Sequence, residues 1–446
     1  MNFPGSISRI FFLILQKFNN TLSEKLNIFL SLFVFVLAIS LYRFVIHISR
    51  KDTMIRRLKF CLVLLFLIAK GYGQNDEVKI LPYTLPEVLK TIDGKTIHNT
   101  SEWEKKRRPE IVTLFENNIY GQMPKNYDNI TYKIINDVAN VMDGKAHLKE
   151  VTITVEKANK TVAIHLILFT PKDRKKSSPV FLLINNRDKE NTDATRKVKS
   201  EFWPAEMAID SGYAIAAFHV SDAAPDNKDT YQNGVLKLYP DQIVANNGMR
   251  AIGAWAWAAS RVMDYFKTDK EIDFSKVSVV GHSRGGKAAL WAGAQDERFA
   301  MVFSSCSGNT GAALARRQYG ETIKAINTTF PHWFNNNYKQ FNDNENSLPV
   351  DQHMLISLIA PRPVYTTSAT QDLWADPVGS YLSISEAQKV YALYEKKSGL
   401  TTTPPPANIP IIQSIIGYHN REGIHNMTAY DWGNFIRFAN FNYFRR

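Results

Sequence analysis

Cysteine is nearly absent from this chain: its 446 residues include two, Cys61 and Cys306. A disulfide framework and a cysteine-built metal site are both excluded, since each needs several thiols at set spacings. No segment recurs at a fixed period, which excludes solenoids and propellers. Low complexity is confined to the Thr-Thr-Thr-Pro-Pro-Pro run at 401–406. Acidic residues are scarce only at one end. The formal net charge is +12, yet residues 1–73 hold 10 of the 54 Lys/Arg and 2 of the 42 Asp/Glu. The other 373 residues carry 44 basic and 40 acidic side chains, a balance of +4 that gives no reason to invoke nucleic acid. What the chain does have is apolar mass, 45% of its residues, enough for a large core.

Two apolar segments precede the globular part. Residues 28–48 are long enough to span a bilayer, interrupted by Arg43. Residues 54–73 begin with Met54-Ile-Arg-Arg, continue through a short apolar core containing Cys61, and end in small residues, the layout of a secretory signal peptide. The expected organisation is therefore an upstream extension or membrane segment (1–53), a signal peptide (54–73), a polar lead-in (74–100) and one catalytic domain (101–446). Either reading of the leader exports that domain, to the periplasm or beyond, so any membrane contact would come only through the N-terminal segment.

Along the body, residues 102–120 carry apolar side chains at helical spacing, and 132–135, 148–155 and 162–169 alternate as strands do. Apolar runs at 179–184, 213–218, 277–280, 301–303, 363–365 and 411–416 continue the strand series. Helical patterns at 249–266 and 428–444 accompany them, the last opening on Thr428-x-x-Asp431, which resembles a capping pair. Alternating strands and helices predict an α/β fold: a mostly parallel sheet with helices on both faces, a three-layer sandwich.

One stretch organises the rest. Val277-Ser-Val-Val-Gly-His-Ser283-Arg-Gly-Gly-Lys is a β-favouring run, a glycine-flanked serine and a helix of small residues. That is the strand–turn–helix setting of a nucleophile elbow. A turn so sharp leaves no room for side chains two residues either side of Ser283, and the helix N-terminus favours the negative charge of an acyl-transfer intermediate. A serine nucleophile needs a base and a carboxylate to orient it, which on such folds follow in the order serine, acid, histidine. Two histidines lie late enough, His419 and His425; His425 is favoured because it adjoins the final helix. For the acid, Asp372 follows the 363–365 strand, with Asp376 in reserve, although a position before Pro377 also suits a plain turn. Arg284 and Lys287 sit in the first turn of the elbow helix, where cations oppose the dipole, so a role in holding an oxyanion, a carboxylate or sugar hydroxyls is expected of them.

At these residues the chain resembles the glucuronoyl esterases, carbohydrate esterase family 15, and most of all their bacterial branch. The family's elbow, Gly-Cys-Ser-Arg-x-Gly-Lys, stands here as Gly281-His-Ser-Arg-Gly-Gly-Lys287. Further matches are Gly320-Glu-Thr, Phe330-Pro-His-Trp-Phe, Ala360-Pro-Arg-Pro and Asp372-Leu-Trp-Ala-Asp. The resemblance implies an α/β-hydrolase cleaving 4-O-methyl-glucuronoyl esters on glucuronoxylan, including those to lignin alcohols, as a monomer without metal or cofactor. It implies Ser283 as nucleophile, His425 as base, Arg284 at the oxyanion, Lys287 and Glu321 on sugar hydroxyls, and Trp374 packed on the sugar. One departure stands out: many members carry the triad glutamate where this chain has Cys306, and a thiol does not replace a carboxylate at neutral pH. Asp372 is expected to take over. His282, beside the nucleophile, is expected to point away from the pocket. The alternatives are an acetylxylan esterase and a catalytically impaired carbohydrate-binding homologue.

Overall fold

The computed structural model of the protein describes residues 80–172 and 176–444; the two leader segments and Cys61 lie outside them. Its frame is a nine-stranded sheet: β1 (Asn129–Val141), β2 (Ala146–Lys157), β3 (Lys160–Pro171), β4 (Ser178–Asn185), β5 (Ala214–His219), β6 (Ile272–His282), β7 (Met301–Ser305), β8 (Val364–Ala369) and β9 (Ile416–Arg421). They lie in the order β1-β2-β3-β5-β4-β6-β7-β8-β9. β1 to β3 form an antiparallel meander that joins antiparallel to β5, and every pairing from β5 across to β9 is parallel.

The strand sequences explain this layout. β4 is buried at every residue because it lies in mid-sheet with both faces covered. Its side chains alternate between two cores: Val180, Leu182 and Ile184 enter one, Phe181 and Leu183 the other. Across the sheet Val279 and Val302 join the first core, Val280 and Phe303 the second. The first core is closed by the helices Ala251–Phe266, Arg284–Gln295 and Pro377–Leu393, the second by Ala205–Asp210 and Ala429–Phe444. Trp255 and Trp257 are packing residues, each fully buried with its indole N–H on a backbone carbonyl. β1 is mostly exposed, carries Lys133 and Asp137, and has two register shifts, all of which blunt a free sheet edge. The lead-in from Ile80 belongs to the same unit as the rest of the described chain, with Val88 and Ile97 in the first core.

One strand falls elsewhere than hydropathy suggested. The isoleucine-rich 411–416 run contributes the isolated Ile411–Tyr418 bridge and only its last residue to a strand, since β9 starts at Ile416. Its polar residues are tolerated because buried partners satisfy them. His419 bonds to Tyr365 Oη (2.9 Å) and Asp431 Oδ1 (2.7 Å), and Arg421 reaches Asp431 Oδ2 at 3.1 Å. Asp431 also accepts the Thr428 backbone N–H at 2.7 Å, the capping contact that starts the final helix. Burial pushes the Asp431 carboxyl up, but His419, Arg421 and the Thr428 N–H outweigh it and hold it below its ordinary value.

A carboxyl lowered on folding adds stability above its unfolded value, near 3.9, and loses it as pH falls through the folded value. Asp431→Asn should therefore cost stability at neutral pH, about 3–5 kcal/mol for a broken buried ion network, measured by urea unfolding. The gap between wild type and variant should narrow steadily below about pH 4.

Candidate active site

Ser283 leaves β6 at the carboxyl edge of the sheet with φ 55° and ψ −125°, a costly conformation for a residue bearing a side chain. Two observations account for it. A Cβ on Gly281 would lie 2.0 Å from the Gly285 carbonyl oxygen, and one on Gly285 would lie 2.7 Å from Asn186 Oδ1. The turn is pinned from the side by Ser283 N–H donating to the Ser305 carbonyl on β7 (2.8 Å). Past it, the Gly286 and Lys287 N–H groups donate to the Ser283 carbonyl (2.9 and 3.1 Å), and that of Arg284, the first residue of the helix, is left to face developing charge.

The side chains proposed as base and acid lie together. His425 Nδ1 lies 2.6 Å from Asp372 Oδ2, the carboxyl buried and the imidazole 42% exposed, which leaves Nε2 for the serine. Ser283 makes no hydrogen bond to His425, a contact that catalytic pairs commonly tighten only in the transition state. The two alternatives have structural work. His419 is buried inside β9, held by Tyr365 and Asp431, rather than in the loop after the last strand. Asp376 caps the helix Pro377–Leu393 through the Gly379 N–H (2.9 Å) and pairs with Arg317 at 2.8 Å.

Cys306 occupies the top of β7 beside this pair. Burial, then the nearby Asp372 charge, push its thiol up to about 12, so it stays protonated and cannot orient an imidazole. Its Sγ contacts the Asn426 carbonyl at 3.8 Å. Among the described residues, Cys306, Asp372 and His425 are also the one group whose ligand atoms, within 4.8 Å of one another, have the reach to hold a cation; a metal there would take the acid and base out of action. His282 does not turn away from the triad. Its ring lies under that of His425, centroids 4.6 Å apart, because the strand alternation that sends Val280 into the second core sends His282 to the same face.

Arg284 and Lys287 are both built in. The Arg284 guanidinium pairs with Asp226 and lies 5.4 Å above the Trp333 ring. Asp226 is fixed in turn by His332 Nε2 (2.8 Å) and Trp333 Nε1 (2.7 Å). Burial pushes the Asp226 carboxyl up, but His332, the Arg284 charge and Trp333 together hold it low. Lys287 is buried, and its three ammonium protons have three acceptors: the Ser307 carbonyl (2.8 Å), the Asn309 carbonyl and Glu321 Oε2 (2.8 Å). Burial pushes the Lys287 ammonium down, opposed by Glu321. With no proton to spare, Lys287 holds Glu321 and the 307–309 loop, and Glu321 is the member left with a carboxylate oxygen that has no partner among the described residues. The Glu321 backbone N–H donates to the Trp374 carbonyl at 2.8 Å, and the Trp374 ring is 59% exposed beside it.

Sequence reasoning missed Asp226 and Arg187. Asp226 sits in an irregular loop whose composition carries no signal, although the Phe330–Phe334 motif held its partners. Arg187 follows β4, next to the elbow, in a stretch that carries no motif.

Comparison with known proteins points to one family. Residues 153–394 match the family model described as glucuronyl esterase, fungi. A carbohydrate esterase from an unknown prokaryotic organism is 41% identical over 83% of this chain and 92% of its own length. The 4-O-methyl-glucuronoyl methylesterase of Schizophyllum commune is 25% identical over 69% of this chain and 72% of its own. Among solved structures, a glucuronoyl esterase from Solibacter usitatus superposes with a TM-score of 0.77 at 36% identity, covering 82% of this chain and all of that one. A promiscuous esterase of carbohydrate esterase family 15 from a marine bacterial metagenome gives 0.75 at 37% identity, covering 82% and 98%.

The geometry separates the two candidate acids. Asp372→Asn should lower kcat about 10³- to 10⁴-fold in a fold that melts as wild type does, as a triad carboxylate variant does. Asp376→Asn should do the reverse, costing about 3 kcal/mol or more by thermal unfolding while the folded fraction keeps its turnover. Cys306→Ser should leave kcat nearly unchanged.

An elbow serine at the sheet's carboxyl edge, an Asp372–His425 pair beside it and these relatives together place the chain in the glucuronoyl esterase family, carbohydrate esterase family 15, as an α/β-hydrolase that hydrolyses carboxylic esters.

Proposed function

We propose that the protein hydrolyses 4-O-methyl-glucuronoyl esters of glucuronoxylan, lignin-linked ones included, through an acyl-serine intermediate. The observation that carries the reading is the 2.6 Å Asp372–His425 contact beside the elbow, which supplies a triad despite Cys306. His425 Nε2 takes the Ser283 proton as Oγ attacks the ester carbon. Asp372 holds the imidazole in the tautomer that allows this and balances its charge. The Arg284 backbone N–H and its Asp226-anchored guanidinium face the developing oxyanion. His425 returns the proton to the departing alcohol, and water then repeats the sequence on the acyl-serine. Glu321, held by Lys287, accepts sugar hydroxyls, and Trp374 offers an apolar face to the ring. An acetyl ester carries no sugar on its acyl side for those last groups to hold, and the Asp372–His425 pair speaks against an impaired homologue.

The test is hydrolysis of benzyl glucuronate beside acetylated xylan. Benzyl ester turnover that Ser283→Ala abolishes is expected; release of acetate alone would replace this reading with the acetylxylan one.

We also propose that the enzyme works outside the cytoplasm, periplasmic or secreted, because residues 54–73 have the layout of a signal peptide. N-terminal sequencing of exported protein should find a start near Gln74; a start upstream of Met54 would favour a membrane anchor instead. Among the described residues no helix is long and apolar enough to cross a membrane.

A further inference from the structure

Four cations surround the triad, and three of them have a carboxylate of their own. Arg284 is paired with Asp226, Lys287 with Glu321 and Arg421 with Asp431. Arg187 has no ion-pair partner among the described residues. It is nonetheless placed with care. Its backbone N–H donates to Asn185 Oδ1 (3.0 Å) and its carbonyl accepts from His219 Nε2 (2.8 Å), which ties down the loop that packs on Gly285 of the elbow. Its guanidinium stacks 4.5 Å from the Phe202 ring centre, and Nη2 lies 3.3 Å from His282 Nε2.

His282 is built to receive that bond. It is buried, and burial, followed by the charges of its neighbours His425, Arg187, Arg421 and Arg284, pushes its imidazole well below the ordinary value. It is therefore neutral. Nδ1, 3.3 Å from Ser305 Oγ, keeps the proton, and Nε2 is the acceptor for Arg187. The chain thus spends a buried imidazole on holding a guanidinium within the field of Arg284, while supplying it no counter-charge. An unbalanced, half-buried cation costs stability unless a ligand brings the anion. Ester hydrolysis makes that anion in this pocket. When the acyl-serine is cleaved, the proton returns to Ser283 and the acid product ionises to solvent at neutral pH.

We propose that Arg187 is an anion-binding residue of the ester pocket, receiving the carboxyl group of the substrate as it becomes negative, first as oxyanion and finally as the uronate product. This rests on the reading of the protein as an ester hydrolase of uronates.

The test compares full-length wild type with Arg187→Gln and Arg187→Lys, using glucuronate and the neutral glucuronamide as inhibitors of benzyl glucuronate hydrolysis. Wild type should bind glucuronate at least about tenfold more tightly than the amide, the size expected of a charge-assisted hydrogen bond. Arg187→Gln should erase that preference and lower kcat about tenfold, with KM for the neutral ester little changed, because the lost contact forms only as charge develops. Arg187→Lys should recover part of both. A Gln variant that keeps the wild-type preference overturns the proposal, and so does a wild type with no preference, which decides the matter even if the Gln variant does not fold. If wild type cleaves aryl acetates but no glucuronate ester, the substrate reading fails and Arg187 is judged on aryl acetate turnover: a lowered kcat in Arg187→Gln upholds it, an unchanged one overturns it.

Discussion

The turn at Ser283 is the constraint on which the rest of the structure depends. A residue with a side chain holds φ 55° and ψ −125° only because its surroundings leave it nowhere else to go. Gly281 and Gly285 meet backbone and side-chain oxygens at distances no Cβ could share, and the Ser283–Ser305 hydrogen bond ties the turn to the neighbouring strand. Every other part of the site is placed relative to that point. The loops after β4, β7, β8 and β9 all end at the same carboxyl edge of the parallel sheet, which is why residues as far apart as Arg187, Cys306, Asp372 and His425 come together.

The electrostatics of the pocket follow from how its charges are paired. Arg284 is rigid because Asp226, itself held by His332 and Trp333, fixes one end of it. Lys287 has all three protons committed and so serves to fix Glu321 and the 307–309 loop. The buried Cys306 thiol and the neutral His282 imidazole add no charge beside the base. A positive site with few spare anions suits chemistry that turns a neutral ester into a carboxylate.

Cys306 at the end of β7 and Asp372 in the loop after β8 both bring a side chain within 4.8 Å of the His425 imidazole. Asp372 is the one hydrogen-bonded to it, at 2.6 Å, while burial keeps the Cys306 thiol protonated.

The amino-acid sequence by itself determined the fold class and pointed to Ser283, Asp372 and His425 as one candidate site. Strand runs of continuous apolar residues and a glycine-flanked serine are local signals, enforced by sterics that act within a few residues. Strand boundaries were legible wherever apolar character and strand coincided, and illegible at β9, where His419 and Arg421 are buried only because Tyr365 and Asp431 satisfy them. Only the tertiary structure decided that His419 is structural, that Asp376 is a helix cap, that Lys287 has no proton to spare, and that His282 lies beneath the base. It alone brought Asp226 to Arg284 and Arg187 to His282. Those are pairings of charge and hydrogen bond across tens of residues of chain, and neither partner carries a mark of the other in its own stretch of sequence.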